Sequence, residues 1–529
     1  MRKRYLSLIC LPFLLTGCNK PLALEFVPFS SFVDPINVKE DQHDESSYYY
    51  ANKEPKELTT SGKEYKITSI SDVLKIYPSG KTRTCMEATG EKKILVLPIC
   101  FSDADESTLA KKKTFIQNAF FGETKRTNYD SVVGYYNKSS FGHLKISGEV
   151  MDWYQADYKA SEWESKESSN HTTASSKLVV KAVQALIDKG VDLSSYDYNN
   201  DGYIDGVYGI YDHPLEEKGY DDSLFWAYTY YTQKGEHGIN NGPNNMVNAY
   251  SWTSVNTILQ NNNKAYTNYL IHEVGHLFGL SDYYNTESNT HKEMYNFQPT
   301  GCFDMMDYNI GDHSPFSKYL FDWISPRVIK NNVNTKISLK PFVSSGECLL
   351  IPSSNYQDSP FGEYLMVEYF APNGLNQFEG SYSYTDKNGK KGVYEYPQHH
   401  GLRIYHVNAS LGYFEKSALA QVLLCDAFDP NASEKIGTKT VGIDYIYSNT
   451  VVDGDIQSGK VLYQLLESSG QNTFKDGVPA NNDTLFKLGD DFGINHFKDY
   501  TFSTGEKVNF TLKVKKVSLQ NIEIEITRG

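Results

Sequence analysis

The sequence contains little cysteine, no dense run of basic residues after residue 5, and no apolar stretch beyond its N-terminus long enough to span a membrane. Its 7 cysteines among 529 residues are widely spaced and include no Cys-x-x-Cys pair, which argues against a disulfide scaffold or a cysteine zinc cluster. Because 51 Lys and Arg stand against 65 Asp and Glu, binding to nucleic-acid phosphates is not expected. Hydrophobic residues make up 40% of the chain, enough for more than one hydrophobic core.

The N-terminus has the features of an export signal. Residues 2–4 are basic, residues 5–15 are mostly apolar, and small residues precede Cys18. The sequence Leu15-Thr16-Gly17-Cys18 resembles the bacterial lipobox, in which the cysteine is lipidated and becomes the new N-terminus. We therefore predict a lipoprotein signal peptide over residues 1–17 and an extracytoplasmic protein anchored to the cell membrane by lipid on Cys18. An ordinary cleaved signal is the alternative.

The rest of the chain divides into three parts. Residues 18–75 are polar and charged, which predicts a flexible tether. Residues 76–330 contain patterns typical of strands and of helices. The apolar run 94–101 predicts a buried strand, and the apolar period over 175–189 predicts a helix. In residues 331–529, short alternating segments lie between turn-rich stretches, which is typical of one or two β-sandwich domains. The predicted fold is an α+β domain followed by an all-β, sandwich-like C-terminal region.

One motif carries clear chemistry: His272-Glu273-Val274-Gly275-His276. The apolar residues around it predict a buried helix. Residues four apart lie on the same face of a helix, so the two imidazoles converge and suit a zinc ion. Glu273 lies beside them, placed to remove a proton from water as a general base. We predict His272 and His276 as zinc ligands and Glu273 as a catalytic residue.

Zinc hydrolysis requires a third protein ligand. Gly279 can end the helix and reverse the chain, so that Asp282 follows His272 by ten residues, as does the last histidine of the metzincin signature. Glu287 and Glu293 are the alternatives, by analogy with enzymes that take a glutamate from a following helix. The stretch 285–299 is too polar and unpatterned for such a helix, which favours Asp282.

A resemblance to a known family follows from several motifs. Phe303-Asp304-Met305-Met306 is similar to the Met-turn of metzincins. Together with the histidine motif 272–276, Asp282 and residues 135–142 and 316–324, this segment resembles the immune inhibitor A family of secreted bacterial metallopeptidases. The resemblance implies a metzincin-like catalytic domain, zinc as cofactor and Met306 as the Met-turn residue. Tyr308 is a candidate hydrogen-bond donor to the oxyanion.

A second metal signal lies in residues 197–205. Oxygen-bearing residues with a glycine at the sixth position follow the calcium-loop pattern, although Tyr208 stands where that pattern has a bidentate glutamate. A solvated turn is the alternative. The candidate calcium ligands are Asp197, Asn199, Asp201, Tyr203 and Asp205.

The expected function is that of a lipid-anchored extracellular zinc endopeptidase, which hydrolyses peptide bonds by metal-activated water with Glu273 as general base. Its partners would be protein or peptide substrates, the membrane through the N-terminal lipid alone, and glycan or matrix through the C-terminal region. The alternative is a non-catalytic surface lipoprotein, an adhesin or a solute-binding component, that retains a protease-like fold.

Overall fold

The structure is a computed structural model that describes residues 45–60, 63–78, 83–167, 170–216, 224–232, 246–259, 263–285, 297–307, 310–331, 333–378, 383–385, 391–393, 399–415, 422–450 and 461–529. The strands of the first half are β1 (Tyr48–Tyr50), β2 (Lys56–Thr60), β3 (Lys63–Ile67), β4 (Gly90–Cys100), β5 (Leu144–Val150), β6 (Tyr154–Gln155), β7 (Tyr203–Ile204), β8 (Val207–Tyr211), β9 (Tyr228–Tyr231), β10 (Met246–Val247), β11 (Ala249–Ser254) and β12 (Arg327–Ile329). Those of the second half are β13 (Thr335–Leu339), β14 (Cys348–Pro352), β15 (Glu363–Phe370), β16 (Ser383–Thr385), β17 (Lys391–Val393), β18 (Gly401–Asn408), β19 (Leu411–Glu415), β20 (Val422–Asp426), β21 (Val441–Tyr445), β22 (Tyr463–Leu466), β23 (Asp491–Gly493), β24 (Phe510–Val517) and β25 (Ile522–Arg528).

The helices lie mostly in the first half. They are α1 (Ile70–Lys75), α2 (Glu106–Phe121), α3 (Val132–Ser139), α4 (Ala160–Glu167), α5 (His171–Asp188), α6 (Asn268–Leu277), α7 (Pro315–Leu320), α8 (Phe342–Ser345) and α9 (Ala432–Ile436). No helix among the described residues is both long and apolar enough to cross a membrane.

The first half is built around a mixed sheet in the order β5-β4-β8-β11-β9, with β6 also paired to β4. β4, β5, β8 and β11 pair in parallel, and β9 runs antiparallel to β11. Helix α5 packs on one face through Leu178 and Val179, in a core shared with Tyr250 and Trp252 of β11. Helix α6 packs on the opposite face. Because helices cover both faces, β4 is apolar along most of its length rather than alternating.

The second half is rich in strands and contains two sheets that share a core. One sheet has the order β1-β12-β14-β15-β18-β22, and the other has the antiparallel order β13-β25-β24-β23. Leu349, Leu365 and Ile404 of the first sheet pack with Leu512 and Ile524 of the second. A smaller sheet, β20-β19-β21, lies beside them. The expected C-terminal β-rich region is present, with two sheets packed over one core.

The N-terminal part of the described chain differs from the expected tether over residues 18–75. From residue 45 it contains β1, the β2–β3 hairpin and α1, which begins with a capping box formed by Ser69 and Asp72. Ile67 and Val73 are buried in the main core. These elements have three to six residues each, which is too short to produce a visible apolar period.

The expected boundary at residue 330 also differs from the structure. Strand β12 lies before it, yet it pairs with β14 in the C-terminal sheet and with β1 from the N-terminal segment. Hydrogen bonds cross between the halves, from Tyr129 Oη to the Leu375 carbonyl (2.7 Å) and from Asn449 Nδ2 to the Tyr283 carbonyl (2.9 Å). One cluster of buried apolar residues also contains members of both halves, among them Leu277 of α6 and Tyr405 of β18.

Candidate metal centre

The geometry of the candidate metal site depends on how helix α6 ends. The Leu280 N–H donates to the Gly275 carbonyl (3.1 Å) and the Gly279 N–H to the His276 carbonyl (2.9 Å), a pair of bonds that reverses the chain. Gly279 has φ +97°, which a glycine adopts without strain. The reversal brings Asp282 back to the two histidines of the helix.

Three side chains meet at one point. His272 Nε2 lies 3.0 Å from Asp282 Oδ1, His276 Nε2 lies 3.2 Å from the same oxygen, and the two Nε2 atoms are 3.2 Å apart. All three residues are buried. The structure thus brings together the three residues that the sequence predicted as zinc ligands.

The other ring nitrogens set the tautomers. His272 Nδ1–H donates to the Met305 carbonyl and His276 Nδ1–H donates to the Leu280 carbonyl, both at 2.8 Å. The Nε2 atoms of both rings therefore face Asp282. Carbonyl acceptors of this kind orient metal-binding histidines in proteins.

A divalent cation fits these residues. Two neutral imidazole nitrogens and a carboxylate present only lone pairs to one another, so a positive charge between them relieves their repulsion. Asp282 Oδ2 is buried and has no hydrogen-bond partner among the described residues. Ligand atoms on a tetrahedral zinc ion with bonds of about 2.0–2.1 Å lie roughly 3.3 Å apart, close to the observed separations. Without a cation, burial disfavours the charged His276, but Asp282 and Glu273 outweigh this and raise its pKa to about 9. Nitrogen and carboxylate donors together suit zinc.

Glu273 is fully buried next to these residues, and hydrogen bonds from two strands of the sheet position it. Thr229 Oγ1 on β9 donates to Glu273 Oε2 at 2.8 Å. Ser251 Oγ on β11 lies 2.8 Å from Thr229 Oγ1 and donates to the Glu273 carbonyl at 3.2 Å. Neither hydroxyl belongs to a motif, and nothing in the sequence distinguishes them from other small polar residues in tyrosine-rich strands.

The loop carrying Met305 and Met306 lies directly beneath helix α6. A Cβ added to Gly275 would lie 2.5 Å from Met306 Sδ, so the methionine touches the helix backbone between the two histidines. The Tyr283 N–H donates to the Met306 carbonyl (2.8 Å), next to Asp282 in the chain. The loop therefore contacts both the helix and the segment that delivers the third ligand, consistent with the packing role predicted for Met306.

Other predicted residues lie outside the described part of the chain. They are Cys18, Tyr308 and the alternative ligands Glu287 and Glu293. Their predicted roles stay predictions.

The predicted calcium loop uses its carboxylates internally. Asp197, Asp201 and Asp205 accept hydrogen bonds from backbone N–H groups of the same loop. Burial raises the pKa of Asp205 to about 7, against its hydrogen bond from the backbone of Tyr198. In the described residues, the three carboxylates do not gather within 4.8 Å of one another as His272, His276 and Asp282 do. Calcium at this loop stays a prediction.

Comparison with known proteins agrees with the geometry. Residues 86–307 match the immune inhibitor A peptidase M6 catalytic domain. Immune inhibitor A of Bacillus thuringiensis subsp. alesti is 24% identical, in an alignment that covers 38% of this chain and 34% of that protein. The chain thus matches about a third of the length of this curated relative. The predicted resemblance to the immune inhibitor A family is confirmed, and the matched domain supports a metallopeptidase.

Proposed function

We propose that this chain, whose residues 86–307 are similar to immune inhibitor A peptidases, is a zinc endopeptidase with His272, His276 and Asp282 as ligands. One observation carries the proposal: the Nε2 atoms of both histidines and one oxygen of Asp282 converge within 3.2 Å in a buried site. If the two histidines served only in a structural salt bridge, backbone carbonyls would not need to orient both Nε2 atoms toward a single point.

Zinc held by these residues supplies Lewis acidity toward the scissile carbonyl and the attacking water. The Glu273 carboxylate takes the proton of the attacking water and passes it to the leaving amine. Thr229 holds one oxygen of that carboxylate, so the orientation of the base is set by the sheet as well as by the helix. The water-excluding packing of α6 strengthens these electrostatic contacts.

We further propose an extracytoplasmic location, with export and lipid attachment through Cys18. The signal-like N-terminus and the lipobox-like sequence support this proposal. The β-rich C-terminal region is the proposed contact surface for glycan or matrix. Protein or peptide substrates would be cleaved outside the cell.

The test is to measure zinc content and cleavage of casein on the same samples. Glu273→Gln should retain stoichiometric zinc and lose hydrolysis, because the base is removed and the ligands stay. Asp282→Ala should lose both zinc and activity. Glu64→Gln, on exposed β3, is the matched control and should behave as the wild type. A metal-free wild-type protein that cleaves nothing would instead favour the non-catalytic surface lipoprotein.

A further inference from the structure

Among the described residues, strand β9 has one unpaired edge, and this edge lies beside the proposed metal site. In the described residues it pairs only with β11, in the register Thr229 to Ser251 and Tyr231 to Ala249. The Thr232 N–H donates to the Asn248 carbonyl at 2.8 Å. Since antiparallel pairing alternates, the backbone groups of Thr229 and Tyr231 point away from β11. An extended peptide can pair with such an edge.

Thr229 and Tyr231 share the face of the sheet that carries helix α6. Thr229 contacts Glu273, and Tyr231 belongs to the same core as α6, whereas Tyr228 and Tyr230 pack on the other side. Two residues of a strand span about 7 Å. Tyr231 therefore lies about two substrate residues along the edge from the proposed base.

A guanidinium group lies at this position. The Arg83 guanidinium is 4.9 Å from the centroid of the Tyr231 ring and 3.7 Å from that of Tyr77. Its backbone is fixed, because the next residue, Thr84, bonds to Asn248 Oδ1 through its N–H at 2.7 Å and its hydroxyl at 2.9 Å. Arg83 is only partly buried and, within the described ranges, makes no ion pair.

Two aromatic rings hold the charge in place, and stacking leaves the in-plane N–H groups of a guanidinium available for a carboxylate. No carboxylate of the described chain occupies them.

We propose that Arg83 forms a subsite for an acidic side chain of the substrate, about two residues from the scissile bond. The proposal rests on the proposed peptidase function and adds a substrate class to it: proteins cleaved close to aspartate or glutamate. The substrate would run along β9, with its carboxylate bound by the Arg83 guanidinium.

The experiment uses fluorogenic peptides in which Gln is replaced by Glu or by Lys, at one position at a time, on both sides of the scissile bond. The zinc-loaded wild-type protein should prefer Glu to Gln about tenfold in kcat/KM at one position, the effect of one charge-assisted hydrogen bond. Arg83→Gln should lose the preference and cleave the Glu and Gln peptides with equal kcat/KM at that position. Arg83→Glu should invert it in favour of Lys. Arg126→Gln, an exposed arginine, is the matched control.

The outcomes separate the two proposals. If the wild type cleaves peptides without any preference for Glu, or if Arg83→Gln keeps that preference, the subsite is refuted while the peptidase stands. Loss of all cleavage in both Arg83 variants would assign the residue a structural role and also overturn the subsite. A wild type that cleaves no peptide would refute the peptidase itself.

Discussion

Replacing Thr229 by valine removes one hydroxyl next to Glu273 and preserves the shape of the side chain. In the wild type, Thr229 Oγ1 donates to Glu273 Oε2 at 2.8 Å in a fully buried environment. A hydrogen bond to a charged group is worth about 1.5–3 kcal/mol. If Glu273 is the general base, loss of this hydrogen bond leaves its carboxylate less well oriented.

The expected result is a kcat lower by roughly 10- to 100-fold, since about 1.4 kcal/mol corresponds to a factor of ten in rate. Zinc content should change little, because the Thr229 hydroxyl bonds to Glu273 and Ser251 rather than to a proposed ligand. KM should also change little, because the substitution leaves the backbone N–H and carbonyl of Thr229 in place at the edge of β9. Steady-state cleavage of a fluorogenic peptide, with zinc measured on the same sample, provides the test.

Two control variants sharpen this prediction. Thr229→Ser keeps the hydroxyl and should retain most of the activity. Ser251→Ala removes the neighbour that contacts Thr229 and the Glu273 carbonyl, and should cost less, because a neutral hydrogen bond contributes about 0.5–1.5 kcal/mol. A valine variant with wild-type kcat would refute the role given to Thr229.

Two further predictions concern the support of the site. Gly275→Ala should lower the melting temperature and the zinc affinity. Alanine favours a helix by about 1 kcal/mol relative to glycine. However, its Cβ would lie 2.5 Å from Met306 Sδ, and overpacking of this kind costs about 1–3 kcal/mol. The double variant with Met306→Ala should show coupling between the two changes, and a stabilised single variant would contradict the contact. Burial raises the pKa of Asp304 to about 7, although the hydrogen bond from the Met306 backbone lowers it. Because the folded pKa exceeds the unfolded value, the folded state binds the proton more tightly, and stability should fall as pH rises from about 4 to 7. Asp304→Asn should therefore raise the melting temperature at pH 8 and change it little at pH 4, and an equal shift at both pH values would argue against this titration.

Long periodic elements were predictable from the sequence. The helix expected over 175–189 is α5, His171–Asp188, and the strand expected over 94–101 is β4, Gly90–Cys100. Both have enough turns or residues for the apolar pattern to stand out. The helix of the histidine motif and its end at Gly279 also follow from local chemistry, because the glycine adopts a backbone conformation that other residues avoid.

Short elements and long-range pairings were not predictable in the same way. Strand β1 has three residues and is stabilised by β12, which lies more than 270 positions later in the chain. Helix α1 also depends on distant residues, because its Ile70 and Leu74 pack against the turn at Gly279. Such contacts leave no periodic pattern in the local sequence, so residues 18–75 were predicted to form a flexible tether.

The chemistry of the proposed site follows from the local sequence: two imidazoles one helical turn apart, a glutamate between them, and an aspartate delivered by a glycine turn. These relations lie within eleven residues, where backbone geometry dictates which side chains meet. Only the tertiary structure placed Thr229 on Glu273, Met306 under Gly275 and Arg83 against Tyr231. Each of those contacts joins elements that are distant in the chain and adjacent only because the sheet and the helices pack around a common core.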